Sequence, residues 1–155
     1  MTRKSQTHSA LVEILLVDDS AGDVRLTREA LKGTQIRVNL NVVSDGADAM
    51  AYLRREKHHA AASRPDLILL DLNLPKKDGR DVLKEIKESD ALKSIPVVIL
   101  TTSASPVDVN RSYQLQANCY ITKPIDLLGF TKVVESIDNF WLSVVKLPSA
   151  SGAPR

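Results

Sequence analysis

The stretch VEILLVDDS, Val12–Ser20, decides the fold. Its apolar run from Val12 to Val17 is broken only by Glu13 and ends on two acids, Asp18 and Asp19. Such a run predicts a strand buried on both faces, which belongs in a parallel sheet covered by helices. Working outward, the signature recurs at Asp66–Leu70, which runs into Asp71, and at Pro96–Leu100, which runs into Thr101 and Thr102. Val38–Val42 alternates apolar with polar residues and predicts a strand with one wetter face. Cys119–Ile121 predicts a short fifth strand just before Lys123 and Pro124.

Between these runs the spacing is helical. Ser20 with Asp23 forms a helix start, Val24, Thr27 and Leu31 line one face, and Gly33 is a stop. Ala47–Glu56 predicts a short helix, followed by a soft loop from His58 to Pro65. Val82, Leu83 and Ile86 mark a third helix. Ser105, Pro106 and Asp108 start a fourth, with proline at its first position. Asp126 caps a last helix that runs to about Lys146. Five strands alternating with five helices predict an α/β chain: a doubly wound five-stranded parallel sheet with helices on both faces. Ligands of such sheets bind beyond the carboxyl ends of the strands.

Composition narrows the function. A chain of 155 residues favours one domain. We expect tails at residues 1–10 and 147–155 and a domain over 11–146. The net charge of +2 is too small to argue for a nucleic-acid or membrane surface. No apolar run approaches the ~18 residues of a membrane helix, and the polar N-terminus lacks the apolar core of a secretion signal. The one cysteine, Cys119, cannot form an internal disulfide, which fits a cytoplasmic location. His58 and His59 are adjacent, so their side chains should diverge, and no third ligand is near in sequence; they read as solvated loop residues. Lys76 and Lys77 read as a surface pair.

A parallel sheet places Asp18, Asp19, Asp71, Thr101 and Lys123 at one edge, far apart in sequence and close in space. Two carboxylates about 4 Å apart repel by roughly 4 kcal/mol at an effective dielectric near 20. Three acids therefore call for a cation, and oxygen-only ligands suit Mg²⁺. Lys123 adds a second positive charge. Such a site is built for a phosphoryl group in transfer, with Asp71 as nucleophile, Asp18 and Asp19 at the metal, and the Thr101 hydroxyl on a phosphoryl oxygen.

With these residues assembled, the sequence resembles the receiver domain of two-component response regulators over about residues 11–142. The carrying segments are VDDS at 17–20, LDLNLP at 70–75 with Asp78 and Gly79, ILT at 99–101, and YITKP at 120–124. The resemblance implies a flavodoxin-like strand order, 2-1-3-4-5. It implies a phosphoacceptor at Asp71, a metal pocket of Asp18, Asp19 and the Asn73 main-chain carbonyl, a switch at Thr101 and Tyr120, and a phosphate partner at Lys123. It also implies a sensor histidine kinase as phosphodonor. DLNLPKKDGR at 71–80, LTTS at 100–103, NCYI at 118–121 and the terminal Phe140, Trp141 and 145–148 resemble single-domain regulators of cyanobacterial phytochrome-type kinases. With only about ten residues after the receiver, we expect no DNA-binding output domain.

The last helix carries a second expectation. Phe130, Val133, Ile137, Phe140, Trp141 and Val144 fall on one apolar stripe. A helix of this length is about 30 Å long, whereas a typical strand spans about 17–20 Å, so its end should overhang the sheet. The stripe predicts a homodimer through the face formed by the fourth helix, fifth strand and fifth helix, a face that phosphorylation would bias. Among rival classes, a phosphohydrolase using an aspartyl phosphate would carry Asp-x-Asp; here the second position is Asn73, which cannot relay a proton. A dinucleotide carrier would show a glycine-rich phosphate loop after the first strand, and none is present.

Overall fold

The structure is a computed structural model. It describes residues 11–32, 37–101 and 119–122, with the backbone alone for 100, 101 and 119–122. In chain order the elements are β1 (Val12–Val17), α1 (Ala21–Lys32), β2 (Val38–Val43), α2 (Gly46–Arg54), a 3₁₀ helix (Lys57–His59), β3 (Leu67–Leu70), α3 (Gly79–Glu88), β4 (Val97–Thr101) and β5 (Cys119–Thr122). The five strands form one sheet in the order β2-β1-β3-β4-β5, every pair parallel. The expected architecture and strand order hold. The fourth and fifth helices, Gly33 and both tails lie outside the described residues.

Continuous apolar strands follow from cores on both sides of the sheet. Successive side chains alternate faces, so each strand serves both layers. Leu15, Val17, Ile68, Leu70, Val97 and Ile99 pack with α2 and α3 on one side. Ile14, Leu16, Leu67, Leu69 and Val98 pack with Ala30 on the other, backed by Val24, Leu26 and Leu31 of α1. The wetter β2 is one edge of the sheet. Its Asn39 and Asn41 amides donate to Glu13 Oε1 at 2.9 and 3.2 Å, which gives the one charged residue of β1 its partners.

Helix ends follow the capping residues. The Ser20 hydroxyl accepts from Asp23 N–H at 3.3 Å and starts α1. Asp45 accepts from Asp48 N–H at 2.7 Å and starts α2, and Asp78 accepts from Arg80 N–H at 2.7 Å and starts α3. The expected helix over 47–56 is shorter: Arg55 takes a left-handed backbone, φ 57°, and closes α2.

Asp66 lies just before β3, and its carboxylate accepts from Glu13 N–H at 2.9 Å. Burial raises its pKa above the usual carboxylate value; the hydrogen bond from Glu13 opposes this, Glu13's charge adds to it, and Arg64 opposes it. The folded state thus binds this proton more tightly than the unfolded chain. The group's contribution is most favourable below the ordinary carboxylate pKa and is lost as pH rises through the raised folded value. Asp66→Asn keeps an acceptor and removes the charge. It should leave stability unchanged at low pH and raise it slightly at neutral pH, within about 0.5 kcal/mol. Melting curves of both proteins from pH 3 to 8 check this; a gap that closes with rising pH would contradict it.

Candidate functional site

Parallel register builds the site. Asp18 N–H donates to Val43 O at 3.0 Å, continuing the β1–β2 ladder one residue past β1. Asp71 N–H donates to Val17 O at 3.0 Å, continuing the β1–β3 ladder in the same way. The two acids therefore leave adjacent strands at one level. Each is then turned by the backbone that follows: Asp18 Oδ1 accepts from Ser20 N–H at 2.9 Å, and Asp71 Oδ1 accepts from Asn73 N–H at 3.0 Å.

Asp18, Asp19 and Asp71 each bring a carboxylate oxygen within 4.8 Å of the others. Asp18 is 1% exposed and Asp71 7% exposed, while Asp19 is exposed. Two nearly buried carboxylates with a third at the rim concentrate negative charge where water cannot screen it fully. The donor set is all oxygen, which fits a hard divalent ion. Asn73 follows within two residues of Asp71 on the same turn and is exposed.

The other expected residues stand at the same edge as far as the backbone shows. Leu70 pairs with Ile99, so Thr101, the last residue of β4, lies one residue beyond the level of Asp71. Thr101 pairs with Thr122 and Ile99 with Tyr120, which places Tyr120 within β5. Lys123 follows β5 and lies outside the described residues, as do Phe130, Val133, Ile137, Phe140, Trp141 and Val144.

Two readings change on contact with the structure. Lys76 is exposed and lies 3.7 Å from Asp45, in keeping with a surface residue, but Lys77 is half-buried and ion-paired with Glu85. His59 is not a solvated loop residue: its ring is 13% exposed and its Nε2 lies 2.7 Å from Asp48 Oδ1. The two rings do not diverge either, since their centroids are 3.9 Å apart. The cause is Lys57, whose left-handed backbone, φ 58°, starts a tight 3₁₀ turn. Asp48 and His59 lie 11 residues apart with the end of α2 at Arg55 between them, so no single helix or strand relates the two and the spacing does not signal the pair.

The comparisons agree with this geometry. Residues 14–135 match the model of the response regulator receiver domain. Response regulator Rcp1 of Synechocystis is 53% identical over 137 residues, covering 88% of this chain and 93% of the relative. A crystal structure of the phosphorylated cyanobacterial phytochrome response regulator RcpA superposes with a TM-score of 0.87 at 54% identity, covering 90% of this chain and all (100%) of that one. The Mn²⁺-bound form of Rcp1 superposes with a TM-score of 0.84 at 51% identity, covering 89% and 99%. Among the described residues no helix is long and apolar enough to cross a membrane. Sheet order, the acid cluster at its carboxyl edge and the match over most of the chain lead to one conclusion: the chain belongs to the response regulator receiver domain family.

Proposed function

We propose that this chain is a single-domain response regulator whose Asp71 takes a phosphoryl group from the phosphohistidine of a sensor histidine kinase. The observation that carries this is the meeting of the Asp18, Asp19 and Asp71 carboxylates at the carboxyl edge of the sheet. A likeness of 54% identity to the phosphorylated cyanobacterial phytochrome response regulator RcpA supports a phytochrome-type kinase as donor.

In the transfer, an Asp71 carboxylate oxygen forms the new O–P bond as the P–N bond to the kinase imidazole breaks. The imidazole nitrogen keeps the bonding pair and takes up a proton. Asp18, Asp19, Asp71 and the Asn73 main-chain carbonyl would hold Mg²⁺, which when bound supplies positive charge to the transferring oxygens. The Asn73 N–H on Asp71 Oδ1 fixes one carboxylate oxygen and so orients the other. Lys123 pairs with the phosphoryl oxygens and Thr101 donates its hydroxyl to one of them, with Tyr120 following as the switch. The chain acts as a phosphoacceptor and not as a turnover enzyme, because the Asn73 amide cannot take the proton from a hydrolytic water. Transfer of label from a phosphorylated phytochrome-type kinase, and its loss in Asp71→Asn, tests the reading.

The receiver unit spans residues 11–146, with tails on either side, and works in the cytoplasm. Its output is protein contact through the face of the fourth helix, fifth strand and fifth helix. Phe130, Val133, Ile137, Phe140, Trp141 and Val144 form the core of a homodimer there. Light scattering at high concentration should give about twice the 17.0 kDa of one chain. Trp141→Asp should return it to one chain. A single-chain mass for the parent protein, with and without a phosphate mimic, overturns the dimer.

A further inference from the structure

A second group of metal-ligating side chains lies between α2 and the 3₁₀ helix, outside the acid pocket. Asp48, His58 and His59 each place a ligand atom within 4.8 Å of the others. We propose that these three residues form a separate site for a late first-row divalent ion of the Zn²⁺ type.

The backbone is what makes the cluster. The chain leaves α2 through left-handed Arg55, φ 57°, passes an extended Glu56, and turns again at left-handed Lys57, φ 58°. Glu56 N–H donates to Ala51 O at 2.8 Å, which folds the segment back along the helix it has just left. His59 then comes to rest on the face that carries Asp48 and, one turn on, Tyr52; its ring meets Tyr52 edge-on at 5.2 Å. The His58 ring lies against the His59 ring, tilted by 42°. His58 Nε2 is 3.9 Å and His59 Nε2 is 2.7 Å from the same oxygen, Asp48 Oδ1.

These separations suit one ion. Ligand atoms at zinc distances in a tetrahedron lie about 3.3 Å apart, between the two values found. The ion takes the place of the hydrogen bond between His59 Nε2 and Asp48 Oδ1. That requires an opening of roughly 0.6 Å there and a small closing of the His58 ring. His58 is 73% exposed, so its ring can turn and a water can complete the coordination. His59 and Asp48 are held in place already, by Tyr52 and by the Asp45 cap on Asp48 N–H.

The chemistry separates this site from the other. Two imidazole nitrogens and one carboxylate favour Zn²⁺, Ni²⁺ or Cu²⁺, whereas three carboxylates favour Mg²⁺ or Mn²⁺. Ion binding here joins the 3₁₀ turn to the first turn of α2, and it needs neither Asp71 nor phosphorylation.

The test is zinc titration of the full chain by calorimetry in excess Mg²⁺, which keeps the acid pocket filled. Histidine ring nitrogens are followed by NMR in parallel. The expected result is one strong equivalent of Zn²⁺ that shifts the ring resonances of His58 and His59. His58→Ala should weaken it by tenfold or more, and the exposed position of His58 leaves the fold intact. Asp48→Asn should weaken it similarly. Unchanged zinc affinity in His58→Ala, or a first equivalent that moves neither ring, overturns the site.

Discussion

Label passed from a phosphorylated histidine kinase should fall to background when Asp71 becomes asparagine. The amide has no carboxylate oxygen to form an acyl phosphate, yet it keeps an oxygen that can accept from Asn73 N–H, as Asp71 Oδ1 does at 3.0 Å. Geometry is preserved and nucleophilicity is lost. The same substitution has a second, opposite readout. Asp71 shares a 4.8 Å cluster with Asp18 and Asp19. At that separation and an effective dielectric near 20, each pair of charges repels by about 3.5 kcal/mol before salt screening. Exposed Asp19 is screened and moves, so the realised relief is smaller, about 1 kcal/mol. Asp71→Asn should therefore melt several degrees higher than the parent in chelator, while losing most of the stabilisation the parent gains from Mg²⁺. The parent's gain is about 2.7 kcal/mol at a hundredfold excess over the dissociation constant. Undiminished labelling of Asp71→Asn would move the acceptor elsewhere. An unaltered Mg²⁺ shift would take Asp71 out of the metal pocket.

The sequence shows this much because the sheet is parallel. Once Val12–Val17 and Leu67–Leu70 are neighbouring parallel strands, the residues following them must share an edge, and Asp18 and Asp71 meet by register alone. Apolar continuity, acids at strand ends and the capping residue at 20 are local signals, each with a local cause. What is not legible is set by backbone turns without a residue signature. Left-handed positions usually carry glycine or asparagine, but Arg55 and Lys57 occupy them here. A reader of the chain therefore extends the helix to Glu56 and leaves His59 in solvent. The structure folds that segment back and sets the ring on Asp48. Asp66 is a smaller case of the same kind: it reads as the first residue of β3, yet its carboxylate is spent on Glu13 N–H.

Gly79→Ala should cost about 3 kcal/mol, the upper part of the range for forcing atoms into a packed core, although it adds one methyl group at a helix start. Gly79 opens α3 directly behind the acceptor. A Cβ built there lies 2.7 Å from Leu72 Cα and closer still to the Asp71 carbonyl oxygen. Neither neighbour is a side-chain tip that can swing aside. Asp71 is tied to Val17 through its own N–H, and Gly79 N–H donates to Leu72 O at 3.0 Å. The methyl must therefore lift α3 off the sheet, against the buried contacts of Val82, Leu83 and Ile86, or displace the acceptor. Urea unfolding should show a lower midpoint with the slope unchanged. Any folded fraction should accept phosphate slowly, since a shift of about 1 Å in a reacting group can cost roughly a hundredfold in rate. Gly22→Ala supplies the contrast within the same chain. Gly22 lies in α1 with no atom within 4 Å of an added Cβ. There the substitution should be neutral or stabilising by up to about 1 kcal/mol, because alanine loses less conformational freedom in a helix than glycine does. Equal effects at the two glycines would mean that helix propensity governs both positions. A large loss at Gly79 alone ties the acceptor's position to the backbone packed behind it.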